Sequence, residues 1–584
     1  MLRLCFTAFK ILLLYSFFFS IINLYCQSET SISTYTVNIV YPWEGKNIGS
    51  VSKSFVFGNV NPIPSTITVN GQIVKPYKNG SFIAYVSIST SDPSFVVNAG
   101  ESIYRRNVVI TDNRRNFDDK TPFELLSSSY VYVSKGSDIC ISFKGLANTS
   151  VMVKVDKIVN SVVDDDKKGN FEYCFSIPVN IKAKNYDIIL KYTQGKLKGE
   201  KAIFKDFLRI FDGYYMVETS TDNVVLKNDA GGYILFLEPG INLFCDMIDS
   251  KRCRAVLGDM KLYADLDKLD IKRISHRILN SKISGVKLIK TSLNRVLARI
   301  FTSMKVAFAI WEDDKKLYLE ISNSAANINW IVYDPKDNFI SSVMFRQNLD
   351  NKTLFTFNFK DDNLCGYNVS YSTEGTLDIE FKFKPFIPSL FIPQPLKGIN
   401  IIIDPGHSPK TTPPYDGAVG PSGSFEYSVN LEIAKKLYEK FVSYGANVYM
   451  TRTSNDPIEQ IPLSERPRIA KRIDGDIYIS IHNNAIADGE DPYSKPRGFQ
   501  IYYYHLHSKK LADAIHESFV KNIPLPDEGV RYGDYMVARI HNMPSVLVEN
   551  AYMILPEHEE MLLDPLWQDR FAQAIFEGVI EFMK

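Results

Sequence analysis

The sequence predicts a multidomain protein with an all-β N-terminal part and a C-terminal α/β domain, whose mostly parallel sheet is flanked by helices. The chain has 584 residues, which is far more than one ordinary domain needs. Residues from about 30 to 388 alternate short runs of β-forming residues with turn residues. A proline-rich stretch follows. From residue 396 onwards strand patterns alternate with helical patterns, as they do in α/β folds.

Composition and charge are those of an ordinary globular protein. Apolar residues make up 45% of the chain and charged residues 23%, and the formal net charge is +1. A nearly neutral chain offers no electrostatic footprint for nucleic acid or for an anionic membrane. We therefore expect no nucleic-acid partner.

The first 26 residues predict a signal peptide. Arg3 and Lys10 accompany an apolar stretch from Ile11 to Ile22, which is shorter than the roughly 20 residues of a membrane-spanning helix. Cleavage after Cys26 would release a soluble exported protein, lipid on Cys26 would tether it, and an uncleaved anchor is a third alternative. The bulky Tyr25 fits a lipoprotein signal poorly, which favours the soluble form. The expected location is the periplasm or the cell envelope.

Four β modules are predicted between the signal peptide and the C-terminal domain. An immunoglobulin-like module covers residues 30–115, where STITVNGQIV carries the Asn-Gly signal of a hairpin. A second β-sandwich module covers 121–205, a small SH3-like module covers 213–268, and a further β-rich module covers 270–388. We expect these modules to bind or to space rather than to catalyse, with envelope or division proteins as candidate partners.

The cysteines after the signal segment suggest disulfides rather than a zinc ribbon. No C-x-x-C pair occurs among them. Export permits disulfides. Cys140 with Cys174 and Cys245 with Cys253 are the candidate pairs, since each pair lies within one strand-rich segment. Buried free thiols are the alternative.

Three predicted strands of the C-terminal domain lead to chemically capable side chains. INIIID is followed by Pro-Gly and His407, DIYISIH carries His482, and SVLVE carries Glu549. Glu426 lies just before the first helix, on the loop that returns over the same sheet edge. Working residues of an open α/β sheet lie at the carboxyl ends of its strands, so these four side chains are expected to meet there.

Two histidines and one glutamate with an open fourth position form a known catalytic zinc set. Zinc at such a site lowers the pKa of water to about 7. A separate carboxylate can take the proton of that water and return it to a leaving amine, and Glu549 is placed to do so. Each residue alone is a weak signal, because a single histidine after a strand is usually a turn or surface residue.

Seven motifs, in order, resemble those of the zinc-dependent N-acetylmuramoyl-L-alanine amidases of the third amidase type. They are DPGH at 404–407, DGAVG at 416–420, Glu426, TR at 451–452, LSER at 463–466, SIHNN at 480–484 and PSVLVE at 544–549. The resemblance covers residues 396–584. It implies one Zn²⁺ bound by His407, Glu426 and His482, with Glu549 as the catalytic carboxylate. Asp404 is expected to orient the turn before His407 rather than to bind zinc.

The resemblance implies hydrolysis of the amide bond between N-acetylmuramic acid and the L-alanine of the peptidoglycan stem peptide. Peptidoglycan is therefore the expected partner, and no substrate-binding residue is predicted. Two alternatives stay open. One is a non-catalytic cell-wall-binding or envelope scaffold protein with an inactive amidase domain. The other is a zinc-dependent peptidoglycan endopeptidase.

The chain departs from the family pattern near the predicted site. A longer loop starting at residues 408–410 replaces the Gly-Gly that commonly follows the first histidine, and Asn550 replaces a glycine beside the base. Some relatives carry an inserted helix that covers the metal. The segment from His482 to Gly498 is too short and too rich in Pro, Gly and Asp for such a helix. We predict none there, although the N-terminal modules could still restrict access.

Two further patterns have other interpretations. His505 and His507, in YYYHLH, are two residues apart on a predicted strand, so they share a face and could bind a metal together. An exposed strand end is the alternative. GPSGS at 420–424 is not a G-x-S-x-G nucleophile elbow, because Gly423 follows Ser422 directly, and a serine hydrolase is not predicted.

Overall fold

The fold is mostly β in its N-terminal region and α/β in its C-terminal domain. A computed structural model describes residues 35–110, 123–126, 128–194, 197–222, 224–387, 393–458 and 460–584. The predicted signal peptide lies outside the described residues. Within those ranges no helix is both long and apolar enough to cross a membrane.

Two facing sheets make up the first β region, residues 36–109. Its strands are β1 (Thr36–Tyr41), β2 (Lys46–Asn47), β3 (Lys53–Asn61), β4 (Ile67–Val69), β5 (Gln72–Val74), β6 (Ser81–Ser87), β7 (Ser94–Ala99) and β8 (Ser102–Val109). One sheet has the order β1-β3-β6 and the other β2-β8-β7-β4-β5. Val56 of the first sheet and Phe95 of the second are both fully buried in the core between them. The immunoglobulin-like character of this region stays a prediction.

The next region contains one large sheet that spans two of the predicted modules. Its strands are β9 (Glu124–Leu125), β10 (Val131–Ser134), β11 (Asp138–Lys144), β12 (Ser150–Val155), β13 (Val159–Asp164), β14 (Asn170–Ser176), β15 (Asn185–Tyr192), β16 (Lys201–Phe211), β17 (Tyr214–Thr219), β18 (Val224–Lys227), β19 (Tyr233–Leu237), β20 (Asn242–Asp249), β21 (Arg252–Leu257), β22 (Met260–Asp265) and β23 (Leu269–Ser275). Strands β9, β11 and β14 form a small separate sheet, and the other twelve form the large one. β10 joins its halves, pairing in parallel with β16 and antiparallel with β20. The predicted 121–205 and 213–268 modules therefore share a sheet, and the SH3-like character stays a prediction.

One of the two candidate cysteine pairs is bridged. Cys140 on β11 and Cys174 on β14 form a disulfide, which confirms that prediction. Cys245 and Cys253 are buried free thiols whose Sγ atoms lie 2.6 Å apart on neighbouring strands. The free-thiol alternative therefore describes the second pair.

The fourth β region again encloses a core between two sheets. Its strands are β24 (Ser281–Ser292), β25 (Arg295–Thr302), β26 (Phe308–Asp313), β27 (Lys316–Ile321), β28 (Ser324–Val332), β29 (Ile340–Gln347), β30 (Thr353–Phe359), β31 (Leu364–Tyr371) and β32 (Leu377–Phe383). The sheet orders are β28-β24-β25-β32-β31 and β26-β27-β30-β29. Phe357 of the smaller sheet packs against Phe381 of the larger, with ring centroids 5.1 Å apart.

In the part of the C-terminal domain that the structure describes there are a six-stranded sheet and five helices. The strands are β33 (Asn400–Pro405), β34 (Asn447–Met450), β35 (Ile477–Asn484), β36 (Phe499–Tyr503), β37 (Asp527–Tyr532) and β38 (Ser545–Tyr552), and the helices are α1 (Glu426–Ser443), α2 (Glu465–Ile473), α3 (Leu506–Asn522), α4 (Pro556–Leu563) and α5 (Pro565–Met583). The sheet order is β34-β33-β35-β38-β36-β37. Only the β36–β38 pair is antiparallel; the others are parallel.

Helices α1, α3 and α5 cover one face of this sheet, and α2 covers part of the other. Ile401 and Ile403 of β33 point into the larger core, whereas Ile402 points into the smaller one. Four residues of α1 at helical spacing are buried against the larger core: Val429, Ile433, Leu437 and Phe441. Gly445, with φ of +87°, follows the end of that helix.

The prediction of a strand through YYYHLH is wrong beyond Tyr503. β36 ends there and α3 begins at Leu506, so His505 precedes the helix and His507 lies in its first turn. The alternative of an exposed strand end is also wrong, because His507 is only 6% exposed. Two of the three tyrosines, Tyr502 and Tyr503, do lie in β36, and the strand ends before the third.

The first β region packs against loops of the C-terminal domain. Phe55 and Phe57 of β3 share an apolar cluster with Tyr552, Ile554 and Leu555, all five of them buried. Hydrogen bonds border this cluster, among them one of 3.0 Å from Asn59 Nδ2 to the carbonyl of Pro421 and one of 2.8 Å from the Tyr77 hydroxyl to Glu560. The contact ties the β region to segments that surround the site described below.

We expect Phe57→Ala to lower the free energy of unfolding by about 3–5 kcal/mol, because it would open a cavity in this interface. Ile73→Ala is the matched control, since Ile73 is 72% exposed in the same region, and a change within about 0.5 kcal/mol is expected. Differential scanning calorimetry of the full chain measures both. Equal midpoints for Phe57→Ala and the control would contradict this packing.

Candidate metal centre

A tight turn after β33 places His407 at the edge of the sheet. His407 has φ of +63°, in the left-handed region that residues other than glycine rarely adopt. The preceding Gly406 leaves room for a second ring, because a Cβ atom there would lie 2.3 Å from the imidazole of His482. The DPGH turn therefore brings two histidines together.

Two buried arginines hold the carbonyl groups of this turn. Arg452 donates from Nε to the carbonyl of His407 at 2.9 Å. Arg466 donates from Nη1 to the carbonyl of Pro405 at 3.0 Å and from Nη2 to that of His407 at 2.8 Å. These bonds satisfy polar groups that the turn removes from the sheet. The arginines belong to the TR and LSER motifs, whose role the sequence did not reveal.

Asp404 lies fully buried beneath the turn and pairs with Arg466. Its carboxylate also accepts hydrogen bonds of 2.6 Å from the hydroxyls of Thr451 and Ser480. Burial opposes ionisation, but the charge of Arg466 and the two hydroxyls outweigh it and hold the pKa of Asp404 below its usual value. Asp404 thus orients the turn, as the sequence suggested.

His407, Glu426 and His482 meet where β33 and β35 end. Glu426 Oε2 lies 3.2 Å from His407 Nε2, and Glu426 Oε1 lies 3.2 Å from His482 Nδ1. One donor atom from each of the three residues lies within 4.8 Å of the others. The structure therefore brings together all three residues that the resemblance marks as metal ligands.

The carboxylate of Glu426 is held from several sides. Glu426 is the first residue of α1, and its side chain accepts backbone hydrogen bonds from Ala418 at 2.7 Å and Asn483 at 3.0 Å. The loop before it packs so closely that a Cβ atom at Gly417 would lie 2.8 Å from Glu426 Oε2, and Gly417 also has φ of +91°. Only glycine suits that position.

Neighbouring polar side chains orient the two histidines. Asp416 Oδ1 lies 2.9 Å from His407 Nδ1, which leaves Nε2 of that ring to face Glu426. Such a contact selects the tautomer of a metal-binding histidine. Asn550 Nδ2 donates to the carbonyl of His482 at 2.9 Å, so the residue that departs from the family pattern supports the site. The role of Asp416 was missed, although its DGAVG motif was evident in the sequence.

Glu549 sits opposite His482 on the neighbouring strands β38 and β35. Its Oε2 atom is buried and has no hydrogen-bond partner among the described residues. Burial, together with the negative charge of Glu426, raises the pKa of Glu549 well above its usual value. Glu549, the fourth residue predicted for the site, thus lies beside His482 with a buried carboxyl oxygen that makes no hydrogen bond among the described residues.

A proton on the His407 imidazole balances the negative charge of Glu426. Burial alone would lower the pKa of His407, but the charge of Glu426 and the contact with Asp416 raise it to about 10. Burial lowers the pKa of His482. A divalent cation would supply the same positive charge. Two imidazoles, one carboxylate and an unsatisfied carboxyl nearby therefore fit a metal ion of the zinc type.

Residues 485–498, all of which the structure describes, contain no helix, so the prediction of no blocking helix is confirmed. This segment instead contacts the first β region. The Tyr41 hydroxyl donates to Asp488 Oδ1 at 2.7 Å, and the Tyr85 hydroxyl donates to the carbonyl of Gly489 at 2.8 Å. A β region therefore occupies one flank of the site.

A cleft of about 570 Å³ lies between the first β region and the loop that carries Asp416. Trp43 and Tyr415 face each other across it, edge to face, with ring centroids 5.9 Å apart. Phe425, directly before Glu426, also lines the cleft. Arg106 contributes a buried Nε that has no hydrogen-bond partner among the described residues. The Arg106 guanidinium also donates to the carbonyl of Ile39 at 2.7 Å and pairs with Glu44 at 3.5 Å, so the cleft combines aromatic surface with an ion pair.

A sequence comparison identifies the domain that carries this group. Residues 401–581 are an Amidase_3 domain, the family described as N-acetylmuramoyl-L-alanine amidase. The domain is 34% identical over 190 residues to the N-acetylmuramoyl-L-alanine amidase LytC of Bacillus subtilis, which covers 32% of this chain and 36% of LytC. The same identity and length relate it to the probable cell wall amidase LytH of Staphylococcus epidermidis, covering 32% of this chain and 60% of LytH.

Among solved structures, the Amidase_3 domain is similar to the N-acetylmuramoyl-L-alanine amidase AmiC2 of Nostoc punctiforme. The identity is 30%, the match covers 32% of this chain and 98% of that chain, and the TM-score is 0.29. The chain spans between about a third and three-fifths of the length of the two curated relatives named above.

We expect Glu549→Gln to stabilise the metal-free protein increasingly as pH rises. The raised pKa of Glu549 means that its contribution to stability is complete below the usual carboxyl pKa of about 4.3 and is lost as pH rises towards the raised value. Glutamine removes this loss. Thermal unfolding in chelator should show equal midpoints near pH 4 and a higher midpoint for the variant near pH 8.

The same comparison in a Glu426→Gln background is the control. It removes the neighbouring negative charge, so the advantage of Glu549→Gln should shrink. An advantage that is the same at every pH would contradict the charge argument.

Proposed function

We propose that the protein is a zinc-dependent N-acetylmuramoyl-L-alanine amidase that hydrolyses the amide bond between N-acetylmuramic acid and the L-alanine of the peptidoglycan stem peptide. The observation that carries this proposal is the group of His407, Glu426 and His482 with the unsatisfied carboxyl of Glu549, inside an Amidase_3 domain. Retention of all four groups favours an enzyme over an inactive scaffold.

His407, Glu426 and His482 would hold one Zn²⁺, and Asp416 would keep His407 in the tautomer that binds through Nε2. When bound, zinc supplies a Lewis acid for the scissile carbonyl and lowers the pKa of water. The three residues come from a strand-end turn, a helix N-terminus and a neighbouring strand. Their positions are therefore fixed by the sheet rather than by a mobile loop.

Glu549 acts as the general base in this proposal. It takes a proton from the attacking water and returns that proton to the leaving amine. Its buried Oε2 atom has no hydrogen-bond partner among the described residues, so it is free to accept that proton, and a raised pKa makes the carboxylate a stronger base. Asn550 and the β35–β38 pairing keep Glu549 on the same edge as His482.

We propose that the protein acts in the periplasm or the cell envelope after export, as a soluble rather than a lipid-anchored form. The predicted signal peptide and the likeness to a probable cell wall amidase support this location. The disulfide between Cys140 and Cys174 agrees with an oxidising compartment. Peptidoglycan is the proposed partner, and envelope or division proteins are proposed partners of the β modules.

The predicted module boundaries also become part of the proposal. The separate core of the first β region supports a module at 30–115, and that of the fourth supports one at 270–388. The modules at 121–205 and 213–268 would act as one piece, because they share a sheet. The catalytic domain is proposed to span 396–584.

We expect Glu549→Ala to keep the zinc content of wild type while activity on purified peptidoglycan falls about 10²–10⁴-fold, the usual contribution of a general base. Glu426→Ala should lose one zinc ion relative to wild type and lose activity. Glu432→Ala is the matched control and should change neither, because the half-exposed Glu432 side chain of α1 contacts Lys435 rather than the site. Elemental analysis and mass spectrometry of the products provide the measurements.

Product chemistry separates the proposal from its two alternatives. An amidase releases intact stem peptides with a free L-alanine amine, whereas an endopeptidase creates a new amine within the stem or the cross-bridge. If Glu549→Ala is as active as wild type, the proposed role of Glu549 is overturned, whichever of the two products is formed. Zinc binding with no product from the full chain, and none from residues 390–584 alone, would favour the scaffold.

We also propose that the cleft beside the metal centre receives part of the peptidoglycan substrate. Trp43→Ala should raise KM for polymeric peptidoglycan about tenfold, equivalent to a loss of roughly 1.4 kcal/mol in binding, and should leave the zinc content unchanged. Trp330→Ala removes a 40% exposed tryptophan of the fourth β region and serves as the control. Equal KM values for both variants would exclude the cleft from substrate binding.

A further inference from the structure

We infer that a second zinc-type cation site lies where the fourth β region meets the amidase domain, formed by Glu312, His505 and His507. The two histidines drew attention in the sequence but play no part in the proposed reaction. One donor atom from each of the three residues lies within 4.8 Å of the others. Glu312 comes from β26, whereas the histidines flank the start of α3.

The donor atoms have a spacing suited to a small tetrahedral ion. Glu312 Oε1 lies 2.8 Å from His507 Nδ1 and 3.7 Å from His505 Nδ1. Nitrogen and oxygen ligands bind zinc at about 2.0–2.1 Å, so tetrahedral ligand atoms lie roughly 3.3 Å apart. The observed separations fall on both sides of that value. Small side-chain movements would therefore be enough to place an ion between the three groups.

Each histidine is oriented by the ring nitrogen that faces away from Glu312. His505 Nε2 lies 3.0 Å from the carbonyl of Arg539, and His507 Nε2 lies 3.3 Å from the carbonyl of Met543. A carbonyl oxygen can only accept, so both Nε2 atoms carry hydrogen and both Nδ1 atoms face the carboxylate. Metal-binding histidines are fixed in this way, with the second nitrogen donating to a backbone carbonyl.

The remaining contacts hold the group rigid and nearly closed to solvent. Glu312 Oε2 accepts a 2.7 Å hydrogen bond from the backbone of His507, which leaves Oε1 to face both rings. The two imidazoles lie nearly parallel, with ring centroids 5.3 Å apart. The Tyr367 hydroxyl, 3.4 Å from His505 Nδ1, marks a fourth side where that oxygen or a water could complete the coordination.

Burial argues for a structural rather than a catalytic role for the second site. The side chains of Glu312 and His507 are 5% and 0% exposed, and that of His505 is 17% exposed. An ion there would have no open face for a substrate. It would instead bind β26 to α3, across 195 residues of sequence. The site would therefore fasten the fourth β region to the amidase domain independently of the proposed reaction.

Zinc stoichiometry of the full chain tests this inference. The protein is equilibrated with zinc, freed of excess by gel filtration and analysed by inductively coupled plasma mass spectrometry. We expect two zinc ions in wild type, one in Glu312→Gln, one in Glu426→Ala and none in the double variant. Glu312→Gln is nearly isosteric, so it can still accept the hydrogen bond from the His507 backbone.

Two further variants keep the test decisive. His505→Gln should also lower the count to one, and it covers the case in which Glu312→Gln fails to fold. His516→Gln is the control and should retain two ions, because His516 contacts a single carboxylate, that of Asp527, at 2.7 Å. In the Glu426→Ala background, cobalt(II) should give the visible absorption of a tetrahedral site, and Glu312→Gln should abolish it.

The outcomes separate this inference from the proposed function. One zinc ion that Glu426→Ala removes and Glu312→Gln retains would overturn the second site and reduce the cluster to a buried ion pair. One ion that Glu312→Gln removes and Glu426→Ala retains would support the second site while overturning the first. Two ions in wild type and in Glu312→Gln alike would place the second ion elsewhere.

Discussion

The buried ion pair between Asp404 and Arg466 is the interaction on which the candidate metal centre depends. Their side chains are 0% and 4% exposed, and loss of either partner would leave a buried charge uncompensated at a cost of about 3–5 kcal/mol. The pair fixes the backbone around Pro405 and stabilises the left-handed conformation of His407. Once His407 is fixed, Glu426 can reach it from the N-terminus of α1. The geometry of the candidate ligands is thus set by charges beneath the turn.

The parts of the fold that local periodicity controls could be predicted from the sequence. The apolar face of α1 follows a helical repeat, and its buried residues are those that the repeat marks. The four candidate site residues could be placed together because parallel strands bring their carboxyl ends to one edge. The antiparallel β36–β38 pairing has no comparable local signal.

Features that depend on distant contacts could not be predicted. The bonds of Arg452 and Arg466 to the turn carbonyls become evident only when the loops are folded back on β33. His505 and His507 lie in a segment whose tyrosines favour a strand, and their partner Glu312 is almost 200 residues away. β10 pairs with β16, which belongs to the same predicted stretch, and with β20, which belongs to the next one. Both stretches have the same strand-rich composition, so the sequence does not mark the sheet that they share.

That shared sheet determines where the chain can be divided. A truncation between β16 and β17 would leave β10 without one of its two neighbours and would expose unpaired backbone groups along a strand edge. Such an edge can pair with other chains and promote aggregation. Fragments that keep residues 124–275 whole avoid this exposure. This region should therefore be expressed or fused to other proteins as a single unit.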